Sequence, residues 1–313
     1  FTSGSTGAPK GVLHNFNKLL SRYKFQKKSY ITLCFLLFDH IGGIDTVFSI
    51  LAKGGTIVIP ESTNVEDVCR AIEKHKIELL PVTPTFLNLL LLKEYYIQYD
   101  LSSLKLITYS AEVMQKSVLA RLNRIFPKVR IKQAYGLSEL GVLSTQSKRA
   151  DSLLMKVGGA GFQVKVVDDI LHIKSDYAME GYLDEDCPFN EGGWFNTKDK
   201  VIVEGDYVKI LGRDSDIINI GGNKVFPAEI EDVILQMEGI NDVAVYSESN
   251  DIFGNIICAK INIDTQEDIL SLKRRIQEFC KEKLAPFMIP VKIKIINHEL
   301  YNSRFKKVRY HHE

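Results

Sequence analysis

Between about residues 10 and 150, the apolar positions of this chain alternate between helical and strand-like spacing. Asn64 opens a helix with Asp67 three residues on, and Val65, Val68, Cys69 and Ile72 then fall on one stripe. Ile77 to Val82 is a strand-like run, and a further helix begins near Pro84. Leu104 to Thr108 predicts a short strand, Lys116 to Phe126 a helix, and Val129 to Ala134 another strand. Such βαβα order predicts a mostly parallel sheet with helices packed on it.

From residue 156 to 211 the period changes to two. VGGAGFQVKVVDDILHIKS and KVIVEGDYVKILG alternate, and Val167-Asp168-Asp169 and Glu204-Gly205-Asp206 supply turn residues, so antiparallel hairpins are expected. After Gly212 come a helix (Pro227 to Gln236), two strands, a helix (Gln266 to Lys283) and a strand, enough for a compact α+β unit. The expected class is α/β. A large lobe over residues 1–213 combines a mostly parallel sheet, flanking helices and a β-hairpin subdomain, and a small α+β C-terminal domain follows over 214–313.

Composition narrows the partners. With 313 residues the chain can bury one large core and a smaller second one, and 45% hydrophobic with 25% charged residues is ordinary for a globular protein. A net charge of +1 gives no electrostatic case for nucleic acid or an acidic membrane. Cys34, Cys69, Cys187, Cys258 and Cys280 are odd in number and form no C-x-x-C, which argues against a disulfide framework or zinc site and suggests single buried thiols in a reducing compartment. The longest apolar run, LLPVTPTFLNLLLL, is broken by Pro81 and Pro84 and is too short to span a bilayer. Cytoplasmic location is the default expectation, and oligomeric state is not indicated.

The candidate chemistry begins with FTSGSTGAPKGV, residues 1 to 12. Glycines let backbone amides approach a polyphosphate, hydroxyls add donors and a lysine adds charge. The spacing is not that of a P-loop, because Gly4 lacks the required Gly-Lys pair downstream. It resembles the phosphate-loop signature of the adenylate-forming (AMP-binding) superfamily, which includes acyl-CoA synthetases and peptide-synthetase adenylation domains. The resemblance implies that Thr2, Ser3, Gly4, Ser5, Thr6, Gly7 and Lys10 line a loop over the β- and γ-phosphates of ATP.

Further stretches resemble that superfamily in the same order. In QAYGLSELG, Tyr135 with Gly136 would stack on adenine, Ser138 would touch the α-phosphate and Glu139 would hold Mg²⁺. YSAEV places Ser110, Ala111 and Glu112 beside adenine and the acyl pocket. In GGWFNTKDKV, Asp199 would accept hydrogen bonds from the ribose, with Lys198 where glycine is usual. GRDSDIINIGGNKVFPAEIE supplies Arg213 for the ribose, Ser215 as the hinge of a mobile small domain, and Gly221 and Gly222 near a pantetheine arm. ELYNSRFKKVRY places the adenylation lysine at Lys307, with Tyr301 for the usual proline and Lys306 for the usual glycine; Lys306 keeps a smaller claim to the role. FDHIGGIDT resembles a stretch of acyl- and aryl-CoA ligases, with His40 by the acyl pocket, although a satisfied core histidine is the rival reading.

The resemblance implies two half-reactions. A carboxylate attacks the α-phosphate of ATP, pyrophosphate leaves, and a thiol of CoA or of a carrier protein's phosphopantetheine then takes the acyl group from AMP. Asp39 keeps amino-acid activation open, since peptide-synthetase domains use such an Asp to bind an amino group. The altered lysine motif and Lys198 keep open a nucleotide-binding scaffold without catalysis. Relatives carry a sizeable region before the phosphate loop, so a short member or a segment of a longer protein is expected.

Overall fold

The computed structural model describes residues 1–2, 9–23, 29–250 and 254–309. Its first sheet has five strands, all parallel, in the spatial order Thr56–Val58, Ile31–Leu33, Leu79–Val82, Leu106–Tyr109 and Arg130–Gln133. The helices Ile41–Leu51, Val65–His75, Pro84–Lys93 and Lys116–Ile125 connect or flank these strands. Asn64 caps its helix by accepting from the Asp67 amide at 2.8 Å, and the Asp67 carboxylate answers through the Asn64 amide group at 2.9 Å. Thr83 caps the next helix in the same way, with Pro84 in the first turn, where its missing N–H costs nothing. The stripe Val65, Val68, Cys69 and Ile72 is buried against Leu80, Phe86, Leu90, Ile107 and Leu119. Each such large side chain contributes about 1.5–3 kcal/mol on burial.

The helix Ile41–Leu51 depends on a glycine for its approach. A Cβ on Gly43 would stand 2.2 Å from the Leu37 carbonyl oxygen, so only glycine lets the helix start lie on that backbone.

Seven strands form an antiparallel sheet ordered Phe162–Val167, Ile170–Ser175, Phe195–Glu204, Tyr207–Arg213, Met155–Gly158, Gly141–Ser147 and Tyr135–Leu137. Asp168 and Asp169 turn the first hairpin at φ 51° and 61°, the left-handed pair that a two-residue turn of this hand requires. The sheet is wider than the expected hairpins, because residues 135–147 also form strands. A Cβ on Gly136 would meet the Val142 Cα at 2.8 Å, so glycine permits that pairing.

The small domain carries its own core. Strands Ile240–Asn250 and Gly254–Ile263 pair antiparallel, Lys292–Ile295 joins parallel, and helices Pro227–Ile234 and Ile269–Lys281 bury Ile230, Ile234, Leu272 and Ile276 among the strand residues. The latter helix is shorter than the expected 266–283 because Asp268 accepts from the amides of Leu270 and Ser271 and fixes its start. The strand expected at Leu104 starts at Leu106, since the Leu104 amide closes a turn onto the Leu101 carbonyl. Four cysteines are buried, but Cys187 is exposed, contrary to the expectation for all five. Among the described residues no helix is long and apolar enough to cross a membrane.

Candidate active site

The carboxyl ends of the parallel strands open into one cleft of about 780 Å³. Phe35 to His40 follow the strand Ile31–Leu33, Thr83 follows Leu79–Val82, Ser110 to Glu112 follow Leu106–Tyr109, and Tyr135 follows Arg130–Gln133. Ligand crevices form at this edge in open α/β sheets. The antiparallel sheet closes one side of the cleft with Asp199 and Arg213, and the C-terminal tail closes another with residues 303–307 and Arg309.

Asp199 and Arg213 stand directly opposite each other on neighbouring strands, with Arg213 Nε 3.7 Å from Asp199 Oδ1. The Tyr135 hydroxyl donates to Asp199 Oδ2 at 2.6 Å, and the Asp199 amide donates to Thr197 Oγ1 at 3.1 Å. Burial raises the Asp199 carboxyl above its ordinary range, while Tyr135 and Arg213 pull it back. Burial, and then the Asp199 charge, pushes the Tyr135 phenol well above its usual value, so it remains a donor. Lys198, where the superfamily pattern has glycine, adopts φ 60°.

On the adjoining wall, the Tyr182 hydroxyl donates to Glu139 Oε1 at 2.8 Å. The Ser138 hydroxyl donates to the Phe1 carbonyl at 3.3 Å, and the His14 ring nitrogen Nε2 lies 2.7 Å from the Ser138 carbonyl oxygen. Burial lowers His14, so the neutral ring is favoured there. Thr2 and Lys10 pair across a short antiparallel bridge, the Thr2 amide donating to the Lys10 carbonyl at 3.0 Å. Lys10 forms an ion pair with Glu185 and sits 5.4 Å from the Tyr182 ring centre. Ser3, Gly4, Ser5, Thr6 and Gly7 lie outside the described residues.

Elsewhere along the cleft, Arg304 of the tail binds both Asp39 and the His40 ring. Burial lowers His40, and the Lys306 and Arg304 cations lower it further against the pull of Asp39. Ala111 adopts φ 73°, and Glu112 accepts from the Thr85 amide at 3.2 Å and the Lys307 amide at 2.5 Å.

The two tail lysines diverge. Lys307 Nζ donates to Asp242 Oδ1 and to the Val243 carbonyl, each at 2.7 Å, and its side chain is only 6% exposed. Burial alone would lower it, but Asp242 and Glu231 more than offset that and raise it. Lys306 also lines the cleft, where burial lowers it, Glu112 opposes, and Arg304 and Arg213 add to the lowering. Ser215 sits in the turn Asp214–Asp216, its hydroxyl 3.3 Å from Asp216 Oδ1. Gly221 and Gly222 form an exposed hairpin turn at φ 52° and 85° and do not line the cleft.

The structure thus brings together Thr2, Lys10, His40, Ser110 to Glu112, Tyr135, Gly136, Ser138, Glu139, Asp199, Arg213 and the tail. Reading the sequence missed Tyr182, Glu185, His14 and Arg304. Each works through a partner remote in the chain, and no local spacing signals it.

A family model described as AMP-binding enzyme matches residues 1–183, and one described as AMP-binding enzyme C-terminal domain matches residues 229–307. A 2-succinylbenzoate–CoA ligase of Bacillus licheniformis is 26% identical, over 99% of this chain and 68% of that protein. The 4-coumarate–CoA ligase-like 6 of Arabidopsis thaliana is 28% identical, over 95% and 58%. The crystal structure of an anthranilate CoA ligase in complex with anthranoyl-AMP shares the fold, with a TM-score of 0.86 at 21% identity over 99% of this chain and 65% of that one. The chain therefore spans about 58–68% of the length of these relatives. With the first family model covering more than half of its residues, the chain belongs to the AMP-binding enzyme family.

Proposed function

We propose that this chain activates a carboxylic acid with ATP as an acyl-AMP, releasing pyrophosphate, and passes the acyl group to a thiol. The observation that carries this reading is the convergence of Asp199, Arg213 and Tyr135, Glu139 and the tail lysine loop on one cleft at the carboxyl edge of a parallel sheet. A buried carboxylate flanked by a guanidinium suits a ribose diol, since Asp199 accepts two hydroxyls while Arg213 and Tyr135 hold it in place. Ser110 to Glu112 and Tyr135 border the space for the base.

Glu139 offers one carboxylate in the cleft that Thr2 and Lys10 also line, and Tyr182 orients it. Mg²⁺ takes one or two carboxylates together with phosphate oxygens and water, so this donor set fits it, and bound there the ion would neutralise phosphate charge. Catalysis in the first half-reaction needs no protein nucleophile. The substrate carboxylate oxygen bonds to the α-phosphorus, the bond to pyrophosphate breaks, and the leaving group takes the electron pair. The chain's part is to align the two reactants and to meet the growing negative charge with fixed cations. The acceptor is CoA or a carrier-protein phosphopantetheine, and the CoA ligases among the relatives favour CoA.

One observation favours amino-acid activation as a second reading: Asp39 Oδ1 is buried without a hydrogen-bond partner among the described residues. Arg304 already neutralises that carboxylate, which weakens the case.

The test is acid-dependent exchange of labelled pyrophosphate into ATP, run with aryl, aliphatic and amino acids, followed by thioester trapping on CoA or carrier protein. Exchange with at least one acid is expected. ATP binding with no exchange for any acid would leave only a nucleotide-binding scaffold.

A further inference from the structure

Resting on the activity proposed above, we infer that the acid this chain activates carries a second carboxylate, and that Lys53 and Lys132 supply the positive charge that selects it. Both lysines line the cleft, on two different walls.

One wall is the helix Ile41–Leu51 and the turn after it. Thr46, Ser49 and Lys53 follow one another at helical spacing, with Asp45 beside them, and all four line the cleft. A surface helix ordinarily shows its polar residues to water and hides its apolar ones. This one does the reverse at its end: Leu51 is 58% exposed, while the polar residues turn into the cleft. The second wall is the face of the parallel sheet that its helices leave uncovered. Leu80, Ile107 and Ile131 stand in register and belong to the core under the helices. Pro81, Thr108 and Lys132, one residue further along each strand, form the next row and face the cleft instead. Lys132 lies two residues before Ala134, which puts its Cα about 7 Å below the carboxyl edge where the nucleotide wall begins.

These two cations lack the partners that their neighbours have. Arg22 is answered by Asp45 at 2.9 Å, Arg213 faces Asp199, and Arg304 is bound by Asp39. Among the described residues Lys53 and Lys132 line the cleft without an ion pair, as does Lys306 on the tail. Asp45 attracts Lys53 from a distance, but its Oδ1 already accepts from Arg22 and from the Tyr23 hydroxyl, each at 2.9 Å. The charge acting on Lys132 is Arg130, which repels it. Burial lowers both ammonium groups, so each gives up hydration that no protein carboxylate returns. A ligand carboxylate returns it. Neither lysine sits among Asp199, Arg213 and Glu139, so their charge is available to the acid's far end while its near carboxylate meets ATP.

The experiment compares pyrophosphate exchange for succinic, adipic and sebacic acids, each against its own monomethyl ester, with decanoic and benzoic acids as references. The ester keeps the length and removes one charge. The wild type should favour at least one diacid over its ester by about tenfold or more in kcat/KM. The double variant Lys53→Gln, Lys132→Gln should bring that ratio to within roughly threefold of one, and Lys53→Arg, Lys132→Arg should keep it. The ratio is internal to each protein, so partial unfolding of a variant does not alter it. Exchange with decanoic or benzoic acid but no preference for any diacid would overturn the inference and leave the activity standing. A preference that survives in the glutamine variant would overturn the assignment to these lysines. A wild type that exchanges with no acid removes the activity reading, and this inference with it.

Discussion

At the scale of single residues, Lys198 carries a cost that the sequence motif alone leaves hidden. It occupies a glycine position of the superfamily pattern, and its φ of 60° is the conformation that glycine would take there. A left-handed backbone costs an ordinary residue about 1–2 kcal/mol, and glycine returns part of that gain through the entropy of the unfolded chain. Lys198→Gly should therefore stabilise the protein by about 0.5–1 kcal/mol, seen as a higher urea midpoint at unchanged slope. The Lys198 amide bond to Asn196 Oδ1 at 2.8 Å survives the change, so this hydrogen bond does not confuse the measurement. A lower midpoint would show that the lysine side chain does something the backbone geometry does not reveal.

At the scale of elements, the tail is pinned to the helix Pro227–Ile234 by Glu231. Its side chain is fully buried, accepts from the Val245 amide at 3.0 Å and clasps Arg309. Burial alone would raise this carboxyl, but Arg309 and Lys307 outweigh it and hold it below its ordinary value. A carboxyl lowered in the folded state stabilises above its unfolded pKa and loses that contribution as pH falls through the folded one. Urea midpoints across the acid range should thus fall more steeply for the wild type than for Glu231→Gln, whose own stability at neutral pH should be about 3–5 kcal/mol lower. Parallel acid limbs in the two proteins would contradict this.

Elements were also the scale at which the sequence was most readable. Asn64 with Asp67, Thr83 with Pro84, and the paired aspartates at 168 and 169 are local signals: cap hydrogen bonds decided the first two and left-handed backbone angles the third. The strands at 135–147 were not readable, because Thr145 is buried by pairing and by its bond to the Gln133 carbonyl rather than by hydrophobicity. For the site, the motifs marked the cleft residues but not their directions. The Lys307 ammonium is turned by Asp242, 65 residues away, and Arg309 by Glu231, 78 residues away, which no local spacing signals.

At the scale of the whole molecule, the tail loop joins the two units. The Thr83 hydroxyl donates to the Phe305 carbonyl at 2.8 Å, and the Phe305 ring packs on Phe35 and Phe86 with centres 5.3 and 5.6 Å apart. Asp232 of the small domain accepts from the Ser117 amide and hydroxyl at 2.9 and 2.6 Å, and the Asn88 side chain donates to the Asn241 carbonyl at 3.2 Å. These contacts hold the small domain in the pose that brings the tail loop to the cleft lined by Asp199 and Arg213. Under the proposed function, a rotation between half-reactions would have to break all of them, and Ser215 in the turn Asp214–Asp216 is the hinge proposed for it.

The central claim is that carboxylate oxygen attacks the α-phosphorus within this cleft, and an oxygen label tests it most directly. A substrate acid bearing ¹⁸O in both carboxylate positions is turned over with ATP and CoA, and the nucleotide product is weighed by mass spectrometry. The account predicts AMP carrying one ¹⁸O and unlabelled pyrophosphate. Unlabelled AMP, or ADP with labelled phosphate, would contradict it.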